Sequence, residues 1–345
     1  ATSFGRLAGG SCAFARGTGA KSTDARMSAM AKSLRAFQAA LLTGWLALGS
    51  AGAVYAHLKG IPLSAAWPVI VALLIAYPFY LVTGFPDLRE FLAGLPRLPL
   101  CALAVSVLPY LVCCGGAIPF QWNSLLRLTA MALALSLWYA VLPTHPILDL
   151  AFLGLTAAIL LGGYFEPVYP AFHKEKLIIV GHVSLYVVAI LALILERRVP
   201  ETGYGFLPNG REWRIGAVHF LYFAAAAVPL VLLTHATRLV APRPIWVVAG
   251  TFVGFLWFVS LTEEFFFRGV LQHWFEEWTR SRTAGLLITS LAFGGIHYWF
   301  RGWAWVPLGA VLGFFCGRAR NQAGGIRAGV VTHALVVATW RAFFW

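Results

Sequence analysis

The chain is poor in charge. Asp and Glu together number 13 among 345 residues, and charged residues make up 11% of the total, against about 25% in ordinary soluble domains. Cysteine is also scarce: Cys12, Cys101, Cys113, Cys114 and Cys316 form no CxxC pair. Four of the five lie in apolar stretches, where cysteine behaves as a small buried hydrophobe. A disulfide framework and a zinc thiolate site are therefore excluded. No compact Lys/Arg run with interleaved aromatics is present, which argues against a nucleic-acid partner. What abounds is apolar: 60% of residues are hydrophobic and 15% aromatic, with a mean hydropathy of +0.76. This rules out a cytosolic enzyme, a disordered chain and a secreted disulfide scaffold, and points to lipid as the solvent.

A spanning helix needs about 20 mostly apolar residues. Eleven stretches qualify: 36–56, 66–83, 98–119, 124–142, 147–165, 177–195, 215–233, 245–262 and onward, 284–299, 303–319 and 326–344. No period-two alternation supports a barrel. The expected fold is an all-α, polytopic transmembrane helix bundle of about eleven spans. Residues 1–35, basic and rich in Gly, Ser and Ala, read as a disordered tail. A targeting segment is the alternative, and a start at Met27 would place residues 1–26 outside the native protein. The polar, Gly- and Pro-bearing break at 196–214 divides the rest into a six-helix region, 36–196, of no evident role, and a five-helix core, 214–345.

The net charge of +13 fits a membrane protein with Lys and Arg held in cytoplasmic loops. With the basic N-terminus inside, alternate loops carry Arg89, Arg97, Arg197, Arg198, Arg211, Arg214, Arg280, Arg282, Arg318, Arg320 and Arg327. The opposite loops carry Lys59, Lys174, Lys176, Arg238, Arg243 and Arg301. The expectation is an integral protein of a bacterial inner membrane with a cytoplasmic N-terminus.

The N-terminal helices are chemically quiet: His145, Asp149 and His182 read as loop or packing residues. The C-terminal half is different. Glu263 and Glu264 continue the apolar run from Ile245 with no turn signal. An acid at the centre of a membrane helix costs about 2.5–3.5 kcal/mol on insertion scales and is functional by default. Glu264 and Arg268, at i and i+4 with the acid first, form a favourable intrahelical pair. Glu263, rotated about 100° away, is left to face a cavity as a general base. His297 and His333 follow on two further helices. A carboxylate and an imidazole can activate water, and a second imidazole can hold an oxyanion or share a metal. Counted along their helices from the cytoplasmic ends, the three lie about 22, 20 and 14 Å deep, which suggests approach from that side.

These motifs, EEFFFR from Glu263 to Arg268, FGGIH from Phe293 to His297, and a third beginning at His333, resemble the CAAX-protease and bacteriocin-processing (CPBP, or Abi) family of intramembrane endopeptidases. The resemblance covers about residues 245–345. It departs from the family pattern at Val337, where Asn or Asp is usual. It implies that Glu263 activates water, His297 assists, His333 polarises the scissile carbonyl, and Arg268 holds Glu264. The implied chemistry needs no cofactor. Zinc held by Glu263, His297 and His333 is the alternative. The partner would be a membrane-associated peptide or protein in the bilayer: a CAAX-type tail, a leader peptide or a C-terminal sorting tail. A scaffold or regulator that keeps the fold without the chemistry is the competing reading, and Val337 is its one support. A transporter with an acidic proton relay is disfavoured, because paired broken helices are absent.

Overall fold

The computed structural model describes residues 17–200, 202–234 and 238–344. Over these residues the protein is all-helical, with no named strand and only two isolated bridges. The chain opens with the long helices α1 (Gly17–Leu58) and α2 (Leu63–Thr83) and a short α3 (Pro86–Arg89). Then come α4 (Arg97–Cys113), α5 (Trp122–Val141), α6 (Pro146–Leu161) and α7 (Ile179–Glu196). After the polar break follow α8 (Gly210–Thr234), α9 (Ile245–Thr279), α10 (Arg282–Arg301), α11 (Trp305–Ala323) and α12 (Arg327–Phe343).

Each apolar stretch read from the sequence is a helix. Seven of them are long and apolar enough to cross a bilayer unaided, so the count of eleven spans is approximate. Among the other four, α6 has 16 residues and α12 has 17, while α10 and α11 are diluted by glycine, arginine and other polar residues. The protein is an integral membrane protein, with large apolar side chains such as Leu46, Trp122, Ile147 and Ile245 on its outside.

The N-terminal boundary differs from expectation. Residues 1–16, including Cys12, lie outside the described residues, but 17–35 form the first turns of α1. The segment from Ala20 to Phe37 holds neither Gly nor Pro and is rich in Ala, Met, Lys and Arg. These are strong helix formers, so α1 extends well before its apolar part.

Turns are set by local chemistry. Between α9 and α10, Arg280 adopts a positive φ of 53°, and the Ser281 side chain caps α10 by accepting from Ala284 N at 3.2 Å. His145 caps α6, its ring accepting from Ile147 N at 3.2 Å. At the other end of α1, Lys59 meets Glu175 at 2.8 Å. The hydrogen bonds from Lys59 and the Tyr55 hydroxyl hold the Glu175 carboxyl below its usual range.

One apolar core runs through both halves, from Ala72 and Leu98 to Val187, Phe265 and Ala334. Two features make α9 the keystone. Its backbone passes through π-helical turns at Phe255–Val259 and Phe265–Leu271, on either side of Ser260–Glu264. A π turn displaces carbonyls from the regular ladder, and Tyr80 of α2 donates to the Trp257 carbonyl at 2.7 Å. Around that contact Tyr80, Tyr186 and Tyr204 pack edge-on against Phe258 and Phe265. The second feature is the close approach of α10 and α11, where Gly294 faces Gly309 and Ser290 faces Gly313. Small residues allow such approach where lipid supplies no hydrophobic drive, and α10 is thereby held beside α9.

Candidate active site

Along α9 the polar residues recur every fourth position: Ser260, Glu264, Arg268 and Gln272, all fully buried. That spacing puts them in one column on one helix face, turned into the bundle. Glu263 lies outside the column and is 36% exposed.

Glu264 is the hub. Its Oε1 lies 3.2 Å from Arg268 Nη1, an ion pair without hydrogen-bond alignment. The same oxygen is 3.0 Å from His333 Nδ1 on α12. Local spacing pairs Glu264 with Arg268 alone; the His333 contact joins positions 69 apart in the chain and has no local signal. The Arg268 guanidinium sits 4.2 Å above the Phe293 ring on α10, in cation–π range. Phe293 in turn touches both imidazoles, with ring centroids 4.8 Å from His297 and 5.6 Å from His333. Phe293 is therefore the packing block on which the cation and the two imidazoles rest.

Hydrogen bonds fix which ring nitrogens are free. His297 Nδ1 is 2.7 Å from the Phe293 carbonyl. A carbonyl oxygen only accepts, so Nδ1 donates and Nε2 is left with its lone pair. His333 Nδ1 is engaged by Glu264, and its Nε2 lies 3.8 Å from Glu263 Oε2. The crowding leaves no room for larger residues. A Cβ at Gly309 would come 3.0 Å from His297 Nδ1, and one at Gly329 would come 2.8 Å from Glu264 Oε2.

Glu263, His297 and His333 line one cavity of about 410 Å³, with Val337 one turn beyond His333 on the same wall. The cavity extends past Phe300 to Arg301, Trp305, Trp340 and Arg341. This corrects the direction of approach read from the sequence. His297 is one turn from the Arg301 end of α10, so the depth of about 20 Å counted from its start places it close to the other end. A second cavity, of about 530 Å³, reaches Glu263 and His297 from between α6, α7, α9 and α10. Its walls include His182 and Tyr186 of α7 and Leu153 and Ala157 of α6.

Among the described residues no three His, Cys, Asp or Glu side chains are grouped closely enough to hold a metal ion as they stand, although an imidazole with one nitrogen bonded inside the protein, as in His297 and His333, keeps the other free to act as base or ligand.

All of these side chains lie within residues 244–339, except Trp340, Arg341 and those of α6 and α7. That segment matches the family model described as type II CAAX prenyl endopeptidase Rce1-like. This C-terminal region is similar to the Rce1-like family. No curated protein and no solved structure matches the chain. With its helical bundle, the chain is a membrane protein carrying a protease-family region. Within the Rce1-like region, EEFFFR lies between and within the two π turns of α9, FGGIH lies on α10 and ends one turn before Arg301, and the third motif lies on α12.

Outside that region, Asp149, read from the sequence as a loop or packing residue, is fully buried. It receives a two-pronged bond from Arg197 Nε and Nη2, each at 2.8 Å. This pair ties α6 to the end of α7, and with them one wall of the second cavity. The signal available in the sequence is an acid in the first turn of an apolar helix, with a basic pair, Arg197 and Arg198, ending the next.

Proposed function

We propose that the protein is an intramembrane endopeptidase in which Glu263 activates a water for attack on a peptide bond in or beside the membrane. The observation that carries this reading is the shared cavity: Glu263, His297 and His333, from three helices, face one space large enough for an extended peptide.

The chemistry follows from the free atoms. Glu263 takes a proton from a water whose oxygen adds to the scissile carbonyl carbon. His297, with Nε2 free, shares that proton. The oxyanion forms on the side of His333, whose Nε2 stabilises it when it carries a hydrogen. The proton returns to the leaving nitrogen as the C–N bond breaks, giving a new carboxylate and a new amine. Glu264, Arg268 and Phe293 hold the imidazoles and need not touch the substrate. This reading takes the metal-free route, with zinc held by Glu263, His297 and His333 as the alternative that the test below separates from it. The substrate is a membrane-associated peptide or protein: a CAAX-type tail, a leader peptide or a C-terminal sorting tail. With the N-terminus in the cytoplasm of a bacterial inner membrane, the cavity mouth opens on the far side.

The test uses the purified full chain in lipid nanodiscs with candidate tail peptides. Glu263→Gln removes the base and should lower cleavage by about 10²–10⁴-fold with an unchanged melting temperature. Chelator should leave wild-type cleavage intact. Cleavage retained by the variant rejects Glu263 as base; cleavage lost to chelator and restored by zinc replaces the route with a metal one. A non-catalytic scaffold has one observation in its favour, the apolar Val337 beside His333, and an inert wild type would support it.

A further inference from the structure

The proposed chemistry leaves the mouth of the catalytic cavity unexplained. Arg301, at the end of α10, and Arg341, on α12, both line it and both are exposed. Their guanidinium groups are close enough to repel one another. Among the described residues neither has a hydrogen bond or ion pair to a carboxylate. The chain has no Asp or Glu between Glu212 and Glu263 and none after Glu277.

Two aromatic rings hold Arg301 in place. The Arg301 guanidinium lies 4.6 Å from the Trp305 ring centre, and Trp305 packs edge-on against Trp340 at 4.7 Å. The segment before α9 braces the same end, with Val240 N bonded to the Phe343 carbonyl at 2.9 Å and Arg243 N to the Ala342 carbonyl at 3.1 Å. Two planar cations without an internal carboxylate partner, at the mouth of a cavity, form a site for a carboxylate, which a guanidinium binds by paired hydrogen bonds.

We propose that Arg301 and Arg341 bind the C-terminal carboxylate of the substrate peptide. This rests on the endopeptidase reading and narrows its substrate to tails that end near the cut, disfavouring leader peptides. The spacing sets the length. Arg301 is one turn, about 6 Å, beyond His297, and Arg341 two turns, about 12 Å, beyond His333. An extended peptide advances about 3.3 Å per residue, so the carboxylate belongs about two to four residues after the scissile bond. The position on the cavity wall, shared with Glu263 and His333, favours a peptide terminus over a lipid phosphate.

The test separates binding from cleavage. Two probes are made, a farnesylated peptide ending in Cys-aliphatic-aliphatic-X and an unlipidated hydrophobic tail peptide, each as free acid and as C-terminal amide. Binding is measured on the Glu263→Gln protein in nanodiscs of zwitterionic lipid, and cleavage on the wild type. At least one probe should bind about tenfold or more tightly as the acid, and Arg301→Gln with Arg341→Gln should remove that preference. Acid and amide binding alike overturns the proposal, even where cleavage proceeds. A preference for the acid without wild-type cleavage keeps the carboxylate site and sinks the endopeptidase reading. Variants that alter only the response to anionic lipid in the nanodisc assign the arginines to a headgroup and overturn the proposal.

Discussion

Glu263 and Glu264 are adjacent in sequence and opposite in situation. Glu264 is fully buried and serves both Arg268 and His333. Glu263 faces two cavities, and among the described residues the one basic side chain within 4 Å of its carboxylate is His333, at 3.8 Å. Removing one member of a buried charged set leaves the others unpaired and costs about 3–5 kcal/mol. Glu264→Gln should therefore lower the melting temperature strongly and lower cleavage with it, whereas Glu263→Gln should affect cleavage alone. Thermal unfolding of both variants in the same detergent checks this, and equal destabilisation would contradict the division of roles. The pairing of Glu264 with Arg268 is legible in the sequence. The bond from His333 is not, because no local rule links residues on α9 and α12.

At the scale of elements, α9 presents both glutamates from a short regular stretch between two irregular turns. The π turns on both sides of Ser260–Glu264 shift which residues face the bundle, and the Trp257 carbonyl is met by Tyr80 from α2. A helix of the six-helix region thus supports the backbone that presents the two glutamates. Tyr80→Phe leaves that carbonyl unpaired in an apolar core, at a cost of about 1–3 kcal/mol. Lower thermal stability and slower cleavage are expected, with peptide binding largely kept; an unchanged melting temperature would show that the bond does not support α9. The sequence marks α9 as one long helix with two acids, Glu263 and Glu264, inside its apolar run. Its π turns depend on tertiary partners and leave no periodic trace.

Across the whole molecule the two halves share a core, and the second cavity has walls from both: α6 and α7 on one side, α9 and α10 on the other. The six-helix region, silent in the sequence, encloses that flank of the site. A fragment of residues 210–345 would lose Tyr80, Tyr186 and one wall of that cavity. Expressed alone in the membrane, it should melt at lower temperature than the full chain and cleave no tail peptide. Full activity in the fragment would confine the function to the five C-terminal helices.

Composition and hydrophobic run length determined the helical bundle and its lipid solvent, since each span must satisfy its own backbone and so announces itself locally. Motif spacing marked Glu263, Glu264, Arg268, Phe293, His297 and His333. Tertiary structure alone decided that His333 bonds Glu264, that the first cavity opens toward Arg301 and Arg341, and that α6 and α7 wall the second. Those are contacts between helices distant in sequence, fixed by packing, and the pattern along any one helix does not encode them.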